Sequence, residues 1–121
     1  MKRRIDIDDD DVDMDVEGRL FYGGEPYSGE VAEYLRGALI SLDDYVDGWP
    51  HGMQREWYAN GEPRGEGVAR NGLPSGEHKE WHSNGRLASK KIFSAERGEL
   101  LAEYFWDEEG NSTRAWKATE D

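Results

Sequence analysis

Two short segments carry residue types that hold metals in other proteins. His78-Lys79-Glu80-Trp81-His82 sets two imidazoles four residues apart. The zincin pattern needs that spacing on a helix, with Glu directly after the first His, and here Glu stands one place late. The segment reads as a strand, along which residues four apart lie about 13 Å from each other, too far to share one ion. Asp9, Asp11 and Asp13 have the first three ligand spacings of an EF-hand loop. Its sixth position should be Gly and its twelfth Glu, but Met14 and Leu20 stand there. Gly65-Glu66-Gly67 starts a dinucleotide fingerprint that fails at Arg70. There is no P-loop and no G-x-S-x-G elbow, and carboxylates are too numerous to single out a catalytic pair. The expectation is a chain with no metal, no cofactor and no catalytic site. His82 is then a sheet-face residue in line with Tyr58.

The bulk composition limits the function classes. The 121 residues suit one compact domain. The apolar content is low and concentrated in Trp, Tyr and Phe, which suits an open sheet better than a helix bundle. The formal net charge is −12. Such a charge repels phosphate backbones and anionic lipid headgroups, so neither nucleic acid nor membrane is an expected partner. It favours a basic partner, or simply keeps the chain soluble. The absence of cysteine excludes disulfides, thiolate zinc sites and a Cys nucleophile. No apolar signal core follows the basic start Met1-Lys2-Arg3-Arg4, and a cytoplasmic protein is expected.

The elements that must position these residues are repeats. Gly37, Gly48, Gly61, Gly72, Gly85, Gly98 and Gly110 recur with a period of about twelve residues. The double period is sharper. Trp49-Pro50-His51-Gly52 returns as Leu73-Pro74-Ser75-Gly76, and Glu56-Trp57-Tyr58-Ala59-Asn60-Gly61 as Glu80-Trp81-His82-Ser83-Asn84-Gly85, both 24 residues later. Looser copies flank them, at Pro26 to Gly29 with Glu33 to Gly37, and at Glu103 to Gly110. Each unit reads as strand, turn, strand. Asn60-Gly61 and Asn84-Gly85 predict two-residue hairpin turns. No run shows convincing helical spacing; Glu96 to Phe105 has room for a short helix but contains Gly98.

Stacking the units predicts a ladder of Tyr34, Trp57, Trp81 and Tyr104 on one face. Glu33, Glu56, Glu80 and Glu103 then form a carboxylate column on the other, beside Leu35, Tyr58, His82 and Phe105. The predicted fold is all-β: an elongated, open, twisted antiparallel sheet of tandem β-hairpin repeats over residues 18–117. Residues 118–121 form a tail. The acidic lead, residues 1–17, reads either as an edge strand with a charged outer face or as disordered until a basic partner arrives. Alternation of Ile5, Ile7, Val12, Met14 and Val16 with acids favours the strand.

The pattern Pro-x-Gly, then Glu-Trp-x-x-Asn-Gly, then a second strand ending in Gly resembles MORN repeats. More closely it resembles the variant repeats of the YwqK-like bacterial antitoxin family, over roughly Gly18 to Lys117. The resemblance implies a row of successive β-hairpins and a protein-binding antitoxin or immunity role in a toxin–antitoxin system. The alternative is a MORN-repeat scaffold or adaptor with no toxin involved. Together with the acidity, it makes Glu33, Glu56, Glu80, Glu103, Asp43, Asp44 and Asp47 candidate contacts to a basic toxin. Tyr58, His82 and Trp49 are candidate aromatic anchors. Whether the chain acts alone or pairs through a sheet edge stays open.

Overall fold

The computed structural model describes residues 3–118. A short lead contributes β1 (Arg4–Asp6) and β2 (Val12–Met14), followed by β3 (Leu20–Tyr22) and β4 (Glu25–Pro26). The long strands come next: β5 (Gly29–Leu35), β6 (Ala38–Val46), β7 (Trp49–Trp57), β8 (Pro63–Arg70) and β9 (Leu73–Trp81). Then follow β10 (Leu87–Phe93), β11 (Leu100–Trp106) and β12 (Ser112–Lys117). No helix forms among the described residues, and Glu96–Phe105 supplies a turn and β11 instead. The fold is the open antiparallel sheet of hairpins expected from the repeat. Nine strands lie in the order β1-β5-β6-β7-β8-β9-β10-β11-β12, and the sheet does not close into a barrel.

The 24-residue period reappears in the strand register. Ser41 pairs with Glu56 as Gly65 pairs with Glu80, Leu42 with Arg55 as Glu66 with Lys79, and Tyr45 with Pro50 as Ala69 with Pro74. Even the irregularity repeats. In β7, His51, Gly52 and Met53 bulge opposite Asp44, and the matching bulge in β9 follows the Val68–Ser75 pair. Gln54 donates its amide to the Asp44 carbonyl at 3.1 Å, and 24 residues later His78 Nε2 lies 2.9 Å from the Val68 carbonyl. A carbonyl only accepts, so His78 carries its proton on Nε2.

Two kinds of turn occur, and the Asn60-Gly61 and Asn84-Gly85 signals fall on the longer kind. The two-residue turns with both residues at positive φ are Arg36-Gly37, Asp47-Gly48 and Asn71-Gly72. Asn60 and Asn84 keep negative φ, against the expectation of two-residue turns there. Tyr58-Ala59-Asn60-Gly61-Glu62 is a five-residue loop, closed by the Tyr58 amide donating to the Glu62 carbonyl at 2.9 Å. Asn60 acts through its side chain, whose Oδ1 accepts the Glu62 amide at 3.0 Å. His82 to Arg86 and Asp107 to Asn111 close in the same way.

The main core sits at the N-terminal end. β2, β3 and β4 form a separate small sheet. Ile5, Leu20, Tyr27 and Val31 are buried together, with Ile7, Val12, Tyr22 and Tyr45 packed against them. Leu20 and Tyr27 are wholly buried, each contributing about 1.5–3 kcal/mol by removal from water. The Tyr27 hydroxyl lies 2.8 Å from the Glu30 carbonyl and 3.0 Å from that of Arg3. The acidic lead is therefore integrated: β1 pairs in parallel with β5 at the sheet edge, and β2 pairs with β3 across the boundary at residues 17 and 18. Its first two residues, like residues 119–121 of the expected tail, lie outside the described residues.

Candidate functional site

In paired strands, directly opposed residues point to the same side, so each register row reads as a line across one face. One row runs Glu33, Ser41, Glu56, Gly65, Glu80, Ser89. Carboxylates stand on every second strand, with a serine or glycine between them. Neighbouring strands are about 4.8 Å apart, so successive glutamates are spaced by roughly 10 Å. Like charges directly opposite each other would destabilise the sheet, and the small residues prevent that contact. They also leave open slots between the acids. Ser89 Oγ donates to Glu80 Oε1 at 3.3 Å.

Two residues along lies the parallel row Asp43, Gln54, Gly67, His78, Lys91, on the same face. Between the rows is a concavity of about 280 Å³ whose floor contains Gly65 and Gly67, with Asp43, Glu56, Glu80 and His78 around it. A second concavity adjoins it, lined by Glu33, Ser41, Asp43, Glu56 and Arg64. Asp43 and Glu56 line both, so Glu33, Asp43, Glu56 and Glu80 share one continuous surface, with Arg55, Lys79 and Lys91 also lining the first concavity and Arg64 the second. Gly67 is glycine for a steric reason. A methyl group there would lie 2.3 Å from His78 Nδ1. The His78 ring rests on the bare backbone and meets the Phe93 ring edge-on at 5.0 Å.

Asp43 is the electrostatically unusual member. Burial pushes its carboxyl up to about 6, and the Glu56 charge adds to the rise. The Arg55 amide, 3.2 Å from Asp43 Oδ1, and the Arg55 charge oppose it. A cation brought to this surface would therefore relieve a strained charge as well as make a new pair.

The other candidates from the sequence are placed differently. Glu103 is not in the column. The six-residue connection Ser94–Glu99 shifts β11, so Phe105 pairs with Ser89 and takes the glutamate position. Glu103 lies two residues along, opposite Lys91 and Trp116, and bridges Arg114 at 3.0 Å. The same shift removes Tyr104 from the expected aromatic ladder. Trp106 continues the line of Trp57 and Trp81, and Tyr104 stacks beside it with ring centres 6.2 Å apart. Tyr58 and His82 face inward as staples between repeats. Tyr58 donates its hydroxyl to the Trp81 carbonyl at 2.6 Å, and His82 Nε2 donates to the Trp106 carbonyl at 2.8 Å. Asp44 is buried, with Oδ2 accepting the Met53 amide at 3.2 Å inside the bulge. Asp47 is a turn residue, its amide held by Ser28 Oγ and its carbonyl by Arg19. Trp49 backs the next turn, where a methyl at Gly72 would sit 3.4 Å from its ring.

Sequence reasoning missed Gly65, Gly67, Ser41 and Ser89, which separate the acids and form the floor. The signal was present in Gly65-Glu66-Gly67, two glycines on one face of a strand. Among the described residues, no cluster of His, Asp and Glu is arranged to hold a metal ion, and no helix is long and apolar enough to cross a membrane. No protein-family model, curated protein or solved structure matches the chain.

Proposed function

We propose that this chain is a protein-binding antitoxin or immunity protein, which neutralises a basic toxin by docking it on the acidic face. One observation carries the reading: Glu33, Asp43, Glu56 and Glu80 share a concave surface with open slots between the acids. A guanidinium or ammonium group entering beside Gly65 would stand between Glu56 and Glu80 with nothing but backbone beneath it. Paired carboxylates suit the planar fork of arginine especially well. The net charge of −12 adds long-range steering of a basic partner. Repeat resemblance to antitoxin proteins supports the same role. Tyr58, His82, Asp44, Asp47 and Trp49 are left out of the interface, because each already serves the scaffold.

The test is capture of a partner from native lysate by tagged wild type and by the Glu56→Lys/Glu80→Lys variant. A single stoichiometric basic protein, retained by wild type and lost by the variant, is the expected result. That protein should arrest growth when expressed alone and be silenced by co-expression of this chain. Equal capture by both proteins would remove the face from the interface. A harmless partner would move the assignment to an adaptor.

A further inference from the structure

Three Asn-Gly dipeptides lie in turns of the sheet: Asn60-Gly61, Asn71-Gly72 and Asn84-Gly85. Asparagine before glycine is prone to ring closure, because a following residue with no side chain leaves its amide nitrogen open to attack the asparagine carboxamide. All three asparagines are exposed, so exposure does not separate them. Their hydrogen bonds do. Asn71 sits at φ 51° in a two-residue turn. Its backbone amide donates to His51 Nδ1 at 3.1 Å, and the Gly72 amide donates to the Pro50 carbonyl of β7 at 2.8 Å. The attacking nitrogen is thus held by another hairpin, beside the Trp49 ring. Asn84 is held by its side chain. Its Oδ1 accepts the Arg86 amide at 2.9 Å, and its Nδ2 donates to the Glu108 carbonyl of the next loop at 2.8 Å. Asn60 has the first of these bonds, from the Glu62 amide at 3.0 Å, but its Nδ2 has no bond among the described residues. The Gly61 amide donates only within its own loop, to the Tyr58 carbonyl at 2.9 Å.

We infer that Asn60 is a site of spontaneous covalent modification, converting to aspartate and isoaspartate ahead of Asn71 and Asn84. The Gly61 nitrogen gives up its proton to hydroxide and bonds to Asn60 Cγ. Negative charge develops on Oδ1, where the Glu62 amide already donates. The Cγ–Nδ2 bond then breaks, and ammonia leaves with a proton taken from water. No hydrogen bond of Nδ2 has to be given up for this, whereas at Asn84 the bond to Glu108 must break first. Water opens the resulting five-membered imide in two ways. Addition at Cγ breaks its bond to Gly61 and leaves aspartate at position 60. Addition at the backbone carbonyl carbon leaves the chain running through Cγ, as isoaspartate. The aspartate can still accept the Glu62 amide, so that product keeps the loop. Isoaspartate adds one backbone atom between Tyr58 and Glu62, and the loop closure is lost. Either product adds one negative charge.

Ageing of the folded full chain at mildly alkaline pH, followed by tryptic peptide mapping by mass spectrometry, tests this. The three sites fall in separate peptides, residues 56–64, 71–79 and 80–86. The mass gain of amide-to-acid conversion should appear in the first about fivefold faster than in either other. In urea, where the loops are gone, the three rates should converge. Asn60→Asp should keep the thermal midpoint of wild type and show no mass gain in its peptide. Equal rates at the three sites in the folded chain would overturn the inference, as would an Asn60 that stays intact. The same order of rates in urea would assign the selectivity to local sequence and overturn the role given to the loop.

Discussion

The two ends of the long sheet are finished in opposite ways. At the β1 end, a short parallel strand covers β5, and a second small sheet is tied against it. Leu20 donates its amide to the Gly48 carbonyl at 2.9 Å, and Gly48 in turn donates to the Tyr27 carbonyl at 2.7 Å. Leu20 and Tyr27 vanish from solvent in the process. At the β12 end, no residue of the last strand is buried. Between the ends, the repeats keep little wholly buried apolar mass beyond Leu42, Ala32, Ala69 and Ala102. The middle of the molecule relies on register, turn closure and inter-repeat hydrogen bonds. A sheet of this kind needs one conventional core to fix it, and the small sheet supplies that core at one end only.

Tyr27→Ala should break the contrast most severely. It empties the core and removes the hydroxyl proton that lies between the Arg3 and Glu30 carbonyls, so a loss of about 3–5 kcal/mol is expected. Trp116→Ala, an equally drastic truncation at the other end, should cost about 1 kcal/mol or less. Comparable losses in urea melts would show that the C-terminal end is sealed after all. Gly67→Ala probes the middle. The added methyl must displace the His78 ring from the Val68 carbonyl, and a loss of about 1–3 kcal/mol is expected. Gly65→Ala, on the same strand and face, has its nearest neighbour at 3.6 Å and should be milder in the same melt.

Asp43→Asn gives a small effect with the clearest sign. The folded carboxyl titrates near 6 against an ordinary value of 3.8, so the folded state holds more protons between those limits. Stability should therefore fall as pH rises from about 4 to about 6 and then level off. Removing the charge should stabilise the protein at pH 7 by about 1 kcal/mol, after allowance for solvent screening of a partly exposed group. The variant should also flatten that pH dependence. A wild-type profile that rises across the window would show that Asp43 is held by a cation rather than pushed up by burial.

Much of the fold was legible because the repeat is written at every level. Glycine spacing located each strand connection, and the 24-residue identity became the same pairing in β7–β8 and β9–β10. Turn chemistry was not legible from dipeptides. Asn-Gly reads as a two-residue hairpin, yet Asn60 bonds through its side chain in a longer loop, and Arg36 accepts the positive φ expected of Asn. Glu103 and Tyr104 fell out of their predicted columns because period counting cannot see how a six-residue connection is accommodated. Of the candidate site, the column of Glu33, Glu56 and Glu80 was visible, and Asp43 falls on the same face. Tyr58 and His82 look like anchors to sequence inspection, since an inward hydrogen bond to the next repeat leaves no local mark. The glycine floor was overlooked because glycine signals turns far more often than the bed of a groove.

The connectivity of the sheet also bears on how it forms. From β5 to β12 every strand pairs with the strand next to it in the chain, so each hairpin closes over a short loop at low entropic cost. The zipper can start at any hairpin and run both ways. β1 is the exception, since it joins β5 in parallel only after β2, β3 and β4 have been carried around. That joint closes the longest loop in the sheet and seals the main core. It acts as a clasp that brings Ile5 from the start of the chain onto the core formed with Leu20, Tyr27 and Val31.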